Sequence, residues 1–588
     1  MAGSSQSAHL TGEAGVLASG YDPLPRYRVV DGRVSQGWAD AVAGLPPGLR
    51  TLGVDGPVVL DWSTLTRSLT TALSVLGPVV AVDMQDNVRP WAEVLELTRS
   101  SPQLADDPDF ATLAAGTLAD LLDPAALKAL ADAPDEATVG LRLLVGPGAA
   151  LCHPDVLWWA DLPKRYAEAA VSSGTGRNLA QPASIPATTK RLFYVDWPLL
   201  DRHRDQFATR VDRWIDTQGP GRPTSVEGAA LRSTCAQLAR RPFRTRPTFN
   251  TTPWGGHWAQ LELGHNTNAK NTALGYELIA PESGVLLGER ADRVVEVPFQ
   301  LIVALSPDDV LGPLVHEAFG TSFPIRFDYL DTLGGGNLSV HCHPQAEYMR
   351  EVFGWPYTQH ETYYMMVGGE NGKVFLGLRE DASVPDFHRR ANDADAHGTQ
   401  FDIEQFVQTF PATPHQLFLV PAGTPHGSSA GNVVLEVSAT PYLYSLRFYD
   451  WLRRDSTERQ RSVHVEHAFR NLDTNRTGSA VADRLLQEPR TLGEGNGWSE
   501  ELLGALAEMF FEVRRLVVAA GARADQDTEG RFHVLTVVEG GPGMIETKAG
   551  DRHPLAYAET LAVPAATGAY TVHNHGTATL RLVKAHVR

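Results

Sequence analysis

Cysteine is scarce in this chain: Cys152, Cys235 and Cys342 are its three cysteines among 588 residues. Three cysteines cannot form a disulfide framework, and this usage is typical of a reducing compartment. The N-terminal stretch MAGSSQSAHLTGEAG lacks a basic segment followed by an apolar run, so no secretory signal peptide is predicted. We therefore expect a cytoplasmic protein.

Long apolar runs and excess positive charge are missing as well. The most apolar stretches, such as TALSVLGPVVAV, are shorter than the roughly 18 residues that a membrane span needs, so no membrane partner is expected. The formal net charge of −18 argues against a general nucleic-acid partner, because phosphate backbones repel such a surface. A small phosphorylated molecule needs only a few local basic groups. Nothing in the sequence indicates the oligomeric state.

The first 225 residues alternate short apolar runs with longer amphipathic stretches, which predicts an α/β domain with a mainly parallel sheet. A Pro/Gly-rich break, IDTQGPGRPTS, ends this pattern. The predicted strands lie in LRTLGVDGPVVLDW, GPVVAVDM and TVGLRLLVGPGAAL, and the predicted helices in TLTRSLTTALSVL, FATLAAGTLADLLDPAALKALA and LLDRHRDQFATRVDRWIDTQ.

The remainder of the chain consists mainly of short β-type segments separated by turn residues, which is typical of jelly rolls. We predict a metal-binding cupin domain over residues 226–475 and a second, smaller jelly roll over 476–588. A polar stretch between them, RNLDTNRTGSAVADRLLQEPRTLGEGNGW, is predicted to be a loop. The second jelly roll contains HNH at residues 573–575 but no preceding HxH…E strand, so it is expected to be metal-free.

The stretch GGGNLSVHCHPQAEYMREVFG carries the strongest chemical signal. Residues i and i+2 of a strand share one face, so His341 and His343 can reach one ion. Their spacing to Gly335, Glu347 and Gly354 fits the first cupin motif. Downstream, VPAGTPH begins the second motif and supplies His426. A generic cupin assignment takes Glu347 as the carboxylate ligand, and Glu361 is the other candidate.

Several segments in order resemble the class I mannose-6-phosphate isomerases, over about residues 247–588. They are TPWGGHW, YELIAPESG, FGTSFPIRFDYLDT, LSVHCHPQAEYM, QHETYYMM, VPAGTPHG, LEVSATPYLYSLRFYDW and RSVHVEH. Members of that family are zinc-dependent cupins that interconvert mannose 6-phosphate and fructose 6-phosphate. The resemblance implies a small sugar phosphate as the substrate, and it implies the metal ligands His341, His343, Glu361 and His426.

The same resemblance implies roles for further residues. Arg447 matches the active-site arginine of the family and Glu436 its acidic partner, although an ion pair between the two inside the sandwich is an alternative. For Arg461 the alternative is a solvated surface charge. The positions that resemble contacts to substrate or phosphate are Ser339, Arg461, His464 and, as a substitute for a missing lysine, Arg326.

The chain departs from the family pattern at three positions. His341 stands where the family usually has Gln, which gives a site of three histidines and one carboxylate that accepts Zn²⁺ but also Mn, Fe or Ni. Two family lysines are Gln359 and Asp328 here. The expected function is a metal-dependent aldose–ketose isomerase that works through a cis-enediol. A cupin oxygenase with the same metal site and a non-catalytic sugar-phosphate-binding protein are the alternatives.

The N-terminal segment GVDGPVVLDWSTLTRSLTTAL resembles the strand–loop–helix layout of P-loop nucleoside kinases. Gly56 and Ser63 match the first and last fixed positions of GxxxxGK[ST], but Asp61 and Trp62 replace the second glycine and the lysine. Pro57 also removes one backbone N–H that such a loop would aim at phosphate. We therefore expect a degraded phosphate loop without nucleotide chemistry and without a bound organic cofactor.

Overall fold

The computed structural model describes residues 20–132, 140–440, 444–455 and 458–588. Their strands form six sheets. Within these ranges, no helix combines the length and apolar character that crossing a membrane requires.

The first region is built on a seven-stranded sheet flanked by helices. The first strand of the region, Arg26–Tyr27 (β1), belongs to a different sheet. The region's other seven strands, which form the seven-stranded sheet, are Ser35–Gln36 (β2), Thr51–Asp55 (β3), Val79–Asp83 (β4), Leu141–Val145 (β5), Val156–Asp161 (β6), Arg213–Asp216 (β7) and Thr224–Glu227 (β8). Its helices are Trp38–Val42 (α1), Trp62–Leu73 (α2), Trp91–Leu97 (α3), Pro124–Ala131 (α4), Lys164–Ser172 (α5), Thr189–Arg191 (α6), Trp197–Phe207 (α7) and Gly228–Leu238 (α8).

The strand order of this sheet is β2-β8-β7-β6-β3-β5-β4. The five strands from β7 to β4 run parallel to one another. At one edge, β8 pairs antiparallel with β7, and β2 pairs antiparallel with β8. Strand β6 is buried along its whole length because helices cover a parallel sheet on both faces. The predicted boundary at residue 225 falls inside β8; the division into three domains stays a prediction.

Two of the predicted helices differ from the structure. In FATLAAGTLADLLDPAALKALA only a 3₁₀ turn, Leu118–Leu121, and α4 are helical. The residues before them are not helical, and Phe110, Ala111 and Leu113 are buried in a core cluster with the middle region. The other helix ends at Phe207, and its predicted continuation becomes β7, whose residues are all buried. Tertiary burial overrides local helix propensity in both segments.

The middle region contains two antiparallel sheets. Its strands are Thr248–Asn250 (β9), Leu274–Leu278 (β10), Gly284–Arg290 (β11), Arg293–Pro298 (β12), Ile325–Asp331 (β13), Val340–Cys342 (β14), Glu361–Val367 (β15), Lys373–Leu378 (β16), Val407–Pro411 (β17), Leu417–Val420 (β18), His426–Ser428 (β19), Val433–Ala439 (β20) and Leu446–Tyr449 (β21). Its helices are Trp258–Glu262 (α9), Phe299–Leu305 (α10), Pro307–Leu311 (α11), Pro313–Phe319 (α12), Ala346–Tyr348 (α13), Val384–His397 (α14) and Val465–Asn471 (α15).

One sheet of the middle region has the order β18-β15-β20-β13-β10-β9, and the other has the order β17-β16-β19-β14-β21. All pairings within both sheets are antiparallel. A separate three-stranded sheet, β1-β11-β12, ties the N-terminal segment to this region.

The last region repeats the two-sheet arrangement. Its strands are Arg490–Gly495 (β22), Trp498–Gly504 (β23), Phe511–Val518 (β24), Arg523–Asp527 (β25), His533–Glu539 (β26), Gly543–Thr547 (β27), Arg552–Leu555 (β28), Thr560–Val563 (β29), Ala569–Asn574 (β30) and Leu580–Val587 (β31). The sheets are β22-β23-β24-β31-β26-β29 and β25-β30-β27-β28. A helix, Ser479–Leu485 (α16), and β22 lie where the sequence predicted a loop.

A buried ion cluster joins the three regions. The Arg244 guanidinium, of which 1% is exposed, bonds to Glu559 and lies 3.6 Å from Glu277. The Arg244 backbone N–H donates to the Tyr27 hydroxyl at 2.6 Å, and Tyr21 donates to Glu277. One cation thus neutralises carboxylates from the middle and last regions while it holds the N-terminal segment.

We expect Arg244→Met to lower the free energy of unfolding by about 3–5 kcal/mol, because it leaves two buried carboxylates without a cation. The matched control is Arg240→Met. Arg240 is 65% exposed and pairs with Asp309, so its loss should change stability by about 1 kcal/mol or less. Urea unfolding of both variants measures the difference, and equal stability of the two would contradict this view of the cluster.

Candidate metal centre

Four potential metal ligands converge between the two sheets of the middle region. His341 lies on β14 directly opposite His426 on the neighbouring strand β19. His343 follows β14, and Glu361 begins β15 in the other sheet. One ligand atom from each residue lies within 4.8 Å of all the others. In the described ranges, this is the one group of three or more such residues.

The three imidazoles are held in one tautomer. Each ring nitrogen Nδ1 is within hydrogen-bond distance of a backbone carbonyl: His341 with Ser339 at 3.0 Å, His343 with Tyr444 at 3.1 Å, and His426 with Thr424 at 2.8 Å. A carbonyl only accepts, so each Nδ1 carries the hydrogen and each Nε2 keeps a free lone pair. This is the arrangement in which protein backbones orient metal-binding histidines.

The inward-facing atoms surround the Glu361 carboxylate. His343 Nε2 lies 2.8 Å from Glu361 Oε1, and His426 Nε2 lies 3.0 Å from Oε2. Despite these short distances, both nitrogens and Oε2 are buried and make no hydrogen bond of acceptable geometry within the described part of the chain. Buried polar atoms rarely stay unsatisfied, so a cation bonded to all of them fits this donor set.

The electrostatics of the centre favour the protonation states that bind a metal. Desolvation, together with the neighbouring His426 and His343, holds the pKa of His341 well below its usual range. Burial alone would raise the pKa of Glu361, but positive charge and hydrogen-bond donation at the neighbouring His343 and His426 outweigh it and lower that pKa well below its usual range. A bound cation would supply the same positive charge beside neutral imidazoles. A neutral His341 and an ionised Glu361 are the forms in which these two side chains coordinate metal ions.

Glu347 lies apart from this centre. It is exposed on the short helix α13, whereas Glu361 is 1% exposed. The thiol of Cys342 turns to the opposite side of its strand, where it contacts the Ala468 carbonyl at 3.7 Å.

A single arginine lies among the carboxylates next to the metal centre. Arg326 Nη2 donates to Glu436 Oε1 at 2.7 Å and lies 3.8 Å from Glu361 Oε1, and Arg326 Nε lies 3.5 Å from Asp328. Ser438 also donates to Glu436 Oε1, at 2.8 Å. The pKa of Arg326 is raised by Glu436, Asp328 and Glu361, although burial opposes its charge.

Three buried carboxylates thus share one cation. Burial and the Glu436 charge raise the pKa of Asp328 well above its usual range, and Oδ1 of Asp328 makes no hydrogen bond within the described ranges. Burial and the Glu361 charge also raise the pKa of Glu436. Gln359, at a position where lysine was expected by resemblance, donates to Glu361.

Arg447 lies on β21 directly opposite His341, so both side chains point to one face of the sheet. Its Nη1 donates to the Ser462 carbonyl at 2.9 Å. No carboxylate of the described residues lies within 4.0 Å of its guanidinium, and Glu436 is paired with Arg326 instead. The alternative of a Glu436–Arg447 ion pair is therefore absent. Burial, and then the neighbouring Arg461, lower the pKa of Arg447 to about 10.

The other predicted substrate contacts lie around Arg447 and His341. His464 Nδ1 accepts a hydrogen bond from the Arg447 backbone N–H at 3.2 Å, and Ser339 Oγ lies 3.4 Å from His341 Nδ1. Arg461 is not a solvated surface charge: it is 11% exposed and its Nη1 donates to Asp450 at 2.7 Å.

Sequence reasoning missed Ser438, Asp450 and Asp109 near this site. Ser438 lies two residues after Glu436 on β20, so strand periodicity could have placed both on one face. Asp109 accepts a hydrogen bond from Ser462 Oγ at 3.3 Å across 353 residues of sequence, and no local pattern indicates that contact.

The segment at residues 56–63, which the sequence analysis compared with a degraded phosphate loop, is tightly packed at Gly56 and Asp61. Asp61 caps α2 by accepting the Thr64 N–H at 3.0 Å, and hydrogen bonds from Thr64 and Ser63 lower its pKa. This ionised carboxylate stands at the helix N-terminus, where an anion would otherwise bind. A Cβ on Gly56 would lie 2.1 Å from the Ala160 carbonyl oxygen. A cavity of about 50 Å³ lies beside Pro57.

The comparisons with known proteins cover the two parts of the chain separately. Residues 37–240 match a family described as Domain of unknown function (DUF8485). The nucleoside-kinase-like layout of the first region stays a prediction.

The mannose-6-phosphate isomerase of Streptococcus mutans is 26% identical over 233 residues, which span 39% of this chain and 66% of that relative. The crystal structure of mannose 6-phosphate isomerase from Bacillus subtilis has 20% identity and a TM-score of 0.47, covering 58% of this chain and 99% of that chain. A zinc-bound mannose 6-phosphate isomerase has 15% identity and a TM-score of 0.45, covering 58% and 99%. The chain is thus similar in sequence to mannose-6-phosphate isomerases, as the motifs of its second part predicted.

Proposed function

We propose that this protein is a zinc-dependent aldose–ketose isomerase that acts on a sugar phosphate, with mannose 6-phosphate and fructose 6-phosphate as its substrate pair. The observation that carries the proposal is the buried group of three oriented imidazoles and one carboxylate, directly beside Arg447, which has no carboxylate within 4.0 Å among the described residues. The sequence similarity to mannose-6-phosphate isomerases supports the same reaction.

His341, His343, His426 and Glu361 would hold the metal ion. When bound, a divalent cation supplies Lewis-acid stabilisation of the negative charge that develops on the sugar oxygens. Zn²⁺ suits a tetrahedral set of nitrogen and oxygen ligands, and Mn, Fe and Ni also accept this donor set.

Arg447 is our candidate for the group that binds the phosphate. Arg453 and Arg461 share the carboxylate of Asp450, at 2.6 Å and 2.7 Å. Arg447 keeps its charge at neutral pH, and no carboxylate of the part of the chain that the structure describes lies within 4.0 Å of its guanidinium, so it would be available to a dianionic phosphate. Ser339 and His464 lie beside it and would complete the binding of the substrate.

Glu436 is our candidate for the group that moves the proton. In the aldose-to-ketose direction, a base removes the proton from C2, a cis-enediol forms, and the proton returns to C1 while a hydroxyl proton passes from O2 to O1. The raised pKa of Glu436 brings its basicity closer to neutral pH, as general bases require. Arg326 would hold Glu436 in place and supply the positive charge that the family lysines provide elsewhere.

The two glutamates near the histidine pair make a matched test of the metal site. Loss of a residue that hydrogen-bonds to a metal ligand weakens metal binding roughly 10–100-fold. We expect Glu361→Gln to weaken zinc binding by more than that, because it removes a proposed ligand itself. Glu347→Gln should leave the affinity unchanged, since Glu347 is exposed. Competition titration with a zinc chelator measures both, and retention of tight binding in the first variant with loss in the second would contradict the ligand assignment.

Loading the purified protein with Zn²⁺, Mn²⁺, Fe²⁺ or Ni²⁺ tests the reaction itself. We expect at least one metal form to interconvert mannose 6-phosphate and fructose 6-phosphate, measured by a coupled assay. Oxygen uptake by the iron form without isomerisation would instead favour a cupin oxygenase. Tight binding of the sugar phosphates without turnover of any kind would favour a binding protein.

Replacing Glu436 by Gln tests the proton-transfer role. We expect kcat to fall roughly 10²- to 10⁴-fold, because general acid–base catalysis contributes that much, while the zinc content stays unchanged. Glu404→Gln is the control, since Glu404 is 40% exposed and pairs with Lys373. Steady-state kinetics and elemental analysis measure the two effects. A variant at position 436 with near-normal kcat would exclude Glu436 as the base.

A further inference from the structure

One segment of the first region lies against the proposed sugar-phosphate site. Residues 107–113, here called the 107–113 segment, contact the middle region through backbone and side-chain hydrogen bonds. The Leu113 N–H donates to the Phe353 carbonyl at 3.0 Å, Thr112 Oγ1 donates to the Val352 carbonyl at 2.8 Å, and the Ala111 carbonyl accepts from the Tyr444 hydroxyl at 2.9 Å. The segment is therefore fixed to the middle region.

Phe110 anchors the centre of the segment. Its ring centroid lies 4.5 Å from that of His464 and 5.7 Å from those of Tyr444 and Phe353. These apolar groups belong to the same core cluster as the strand residue Cys342, between the metal-binding histidines. The packing that seats the segment is thus continuous with the packing behind the metal-centre strand.

Asp107 fixes the local turn that presents Asp109. Its Oδ1 accepts the backbone N–H of Asp109 at 2.9 Å and that of Phe110 at 2.6 Å. Its Oδ2 contacts His467 Nε2 at 2.8 Å, on α15 of the middle region. The side chain of Asp109 is thereby held towards the site rather than free in solvent.

Asp109 contacts both of the residues that bond to Arg447. His464 Nδ1 accepts the Arg447 N–H, so His464 carries its hydrogen on Nε2, which lies 3.6 Å from Asp109 Oδ2. Ser462 donates through Oγ to Asp109 Oδ1 at 3.3 Å, while its carbonyl accepts from Arg447 Nη1 at 2.9 Å. Movement of Asp109 would therefore loosen His464 and Ser462 together.

We propose that the 107–113 segment completes the sugar-phosphate site in cis, and that Asp109 is a positioning residue which acts on Arg447 through Ser462 and His464. This inference rests on the proposed function for the identity of the ligand. It gives the first region a role in substrate binding that does not need nucleotide chemistry.

The test compares Asp109→Asn with Asp106→Asn in the full-length, zinc-loaded protein. Asp109 is 35% exposed, so the isosteric change should leave folding intact. Asp106 lies three residues before Asp109 and is exposed, so Asp106→Asn is a control that removes one negative charge from the same stretch of chain. The readouts are kcat and KM for fructose 6-phosphate, the Kd for fructose 6-phosphate and inorganic phosphate by calorimetry, and the zinc content.

We expect Asp109→Asn to raise KM and both dissociation constants roughly tenfold, which corresponds to replacing a hydrogen bond to a charged group by one to a neutral group, with kcat and zinc content close to those of Asp106→Asn. Equal dissociation constants in the two variants would overturn the proposal. Parallel loss of zinc and kcat would also overturn it, because that pattern indicates a general structural role.

The two proposals can fail separately. If the wild-type protein turns over no sugar phosphate but its phosphate affinity still depends on Asp109, the isomerase assignment fails and the positioning role stands. If the wild-type protein binds neither fructose 6-phosphate nor phosphate, the positioning role fails as well.

Discussion

Three buried carboxylates in the middle region depend on the positive charge of Arg326. Glu361, Glu436 and Asp328 are buried together, and Arg326 is the arginine that contacts all three. Three imidazoles aim free lone pairs at the same space as Glu361. Isolated buried charges are strongly unfavourable, so a divalent ion at this point resolves both the excess carboxylate charge and the unsatisfied nitrogens. The fold around the centre is arranged to deliver these groups from two different sheets.

The backbone sets the orientation of the centre. Short strands β14 and β19 bring His341 and His426 opposite each other, and carbonyl groups fix the tautomer of each ring. The next strand, β21, places Arg447 on the same face. Two of the proposed metal ligands, His341 and His426, and the proposed phosphate-binding arginine thus occupy adjacent strands of one sheet. Such a rigid arrangement suits a reaction whose barrier depends on preorganised charge.

Sequence reasoning selected the four side chains that cluster at the candidate metal centre because their signals are local. HxH in a strand, a turn of the PAGTPH type and a family-like QHE segment each identify residues by spacing or resemblance. The similarity to mannose-6-phosphate isomerases confirms that resemblance for part of the chain. The first part of the helix predicted from Phe110 onwards was wrong because the apolar residues there bury against the middle region, and helix propensity is a weak guide where tertiary contacts compete. Contacts such as Asp109–Ser462 arise from docking between regions, which no local periodicity encodes.

The central claim concerns one metal ion held by four named side chains. A crystal structure of the protein soaked with fructose 6-phosphate, with anomalous data collected on both sides of the zinc absorption edge, tests it most directly. The account predicts one zinc peak at about 2.0–2.2 Å from Nε2 of His341, His343 and His426 and from the Glu361 carboxylate, with the sugar phosphate between that peak and Arg447. A peak bound by Glu347, or none at the three histidines in zinc-loaded protein, would contradict it.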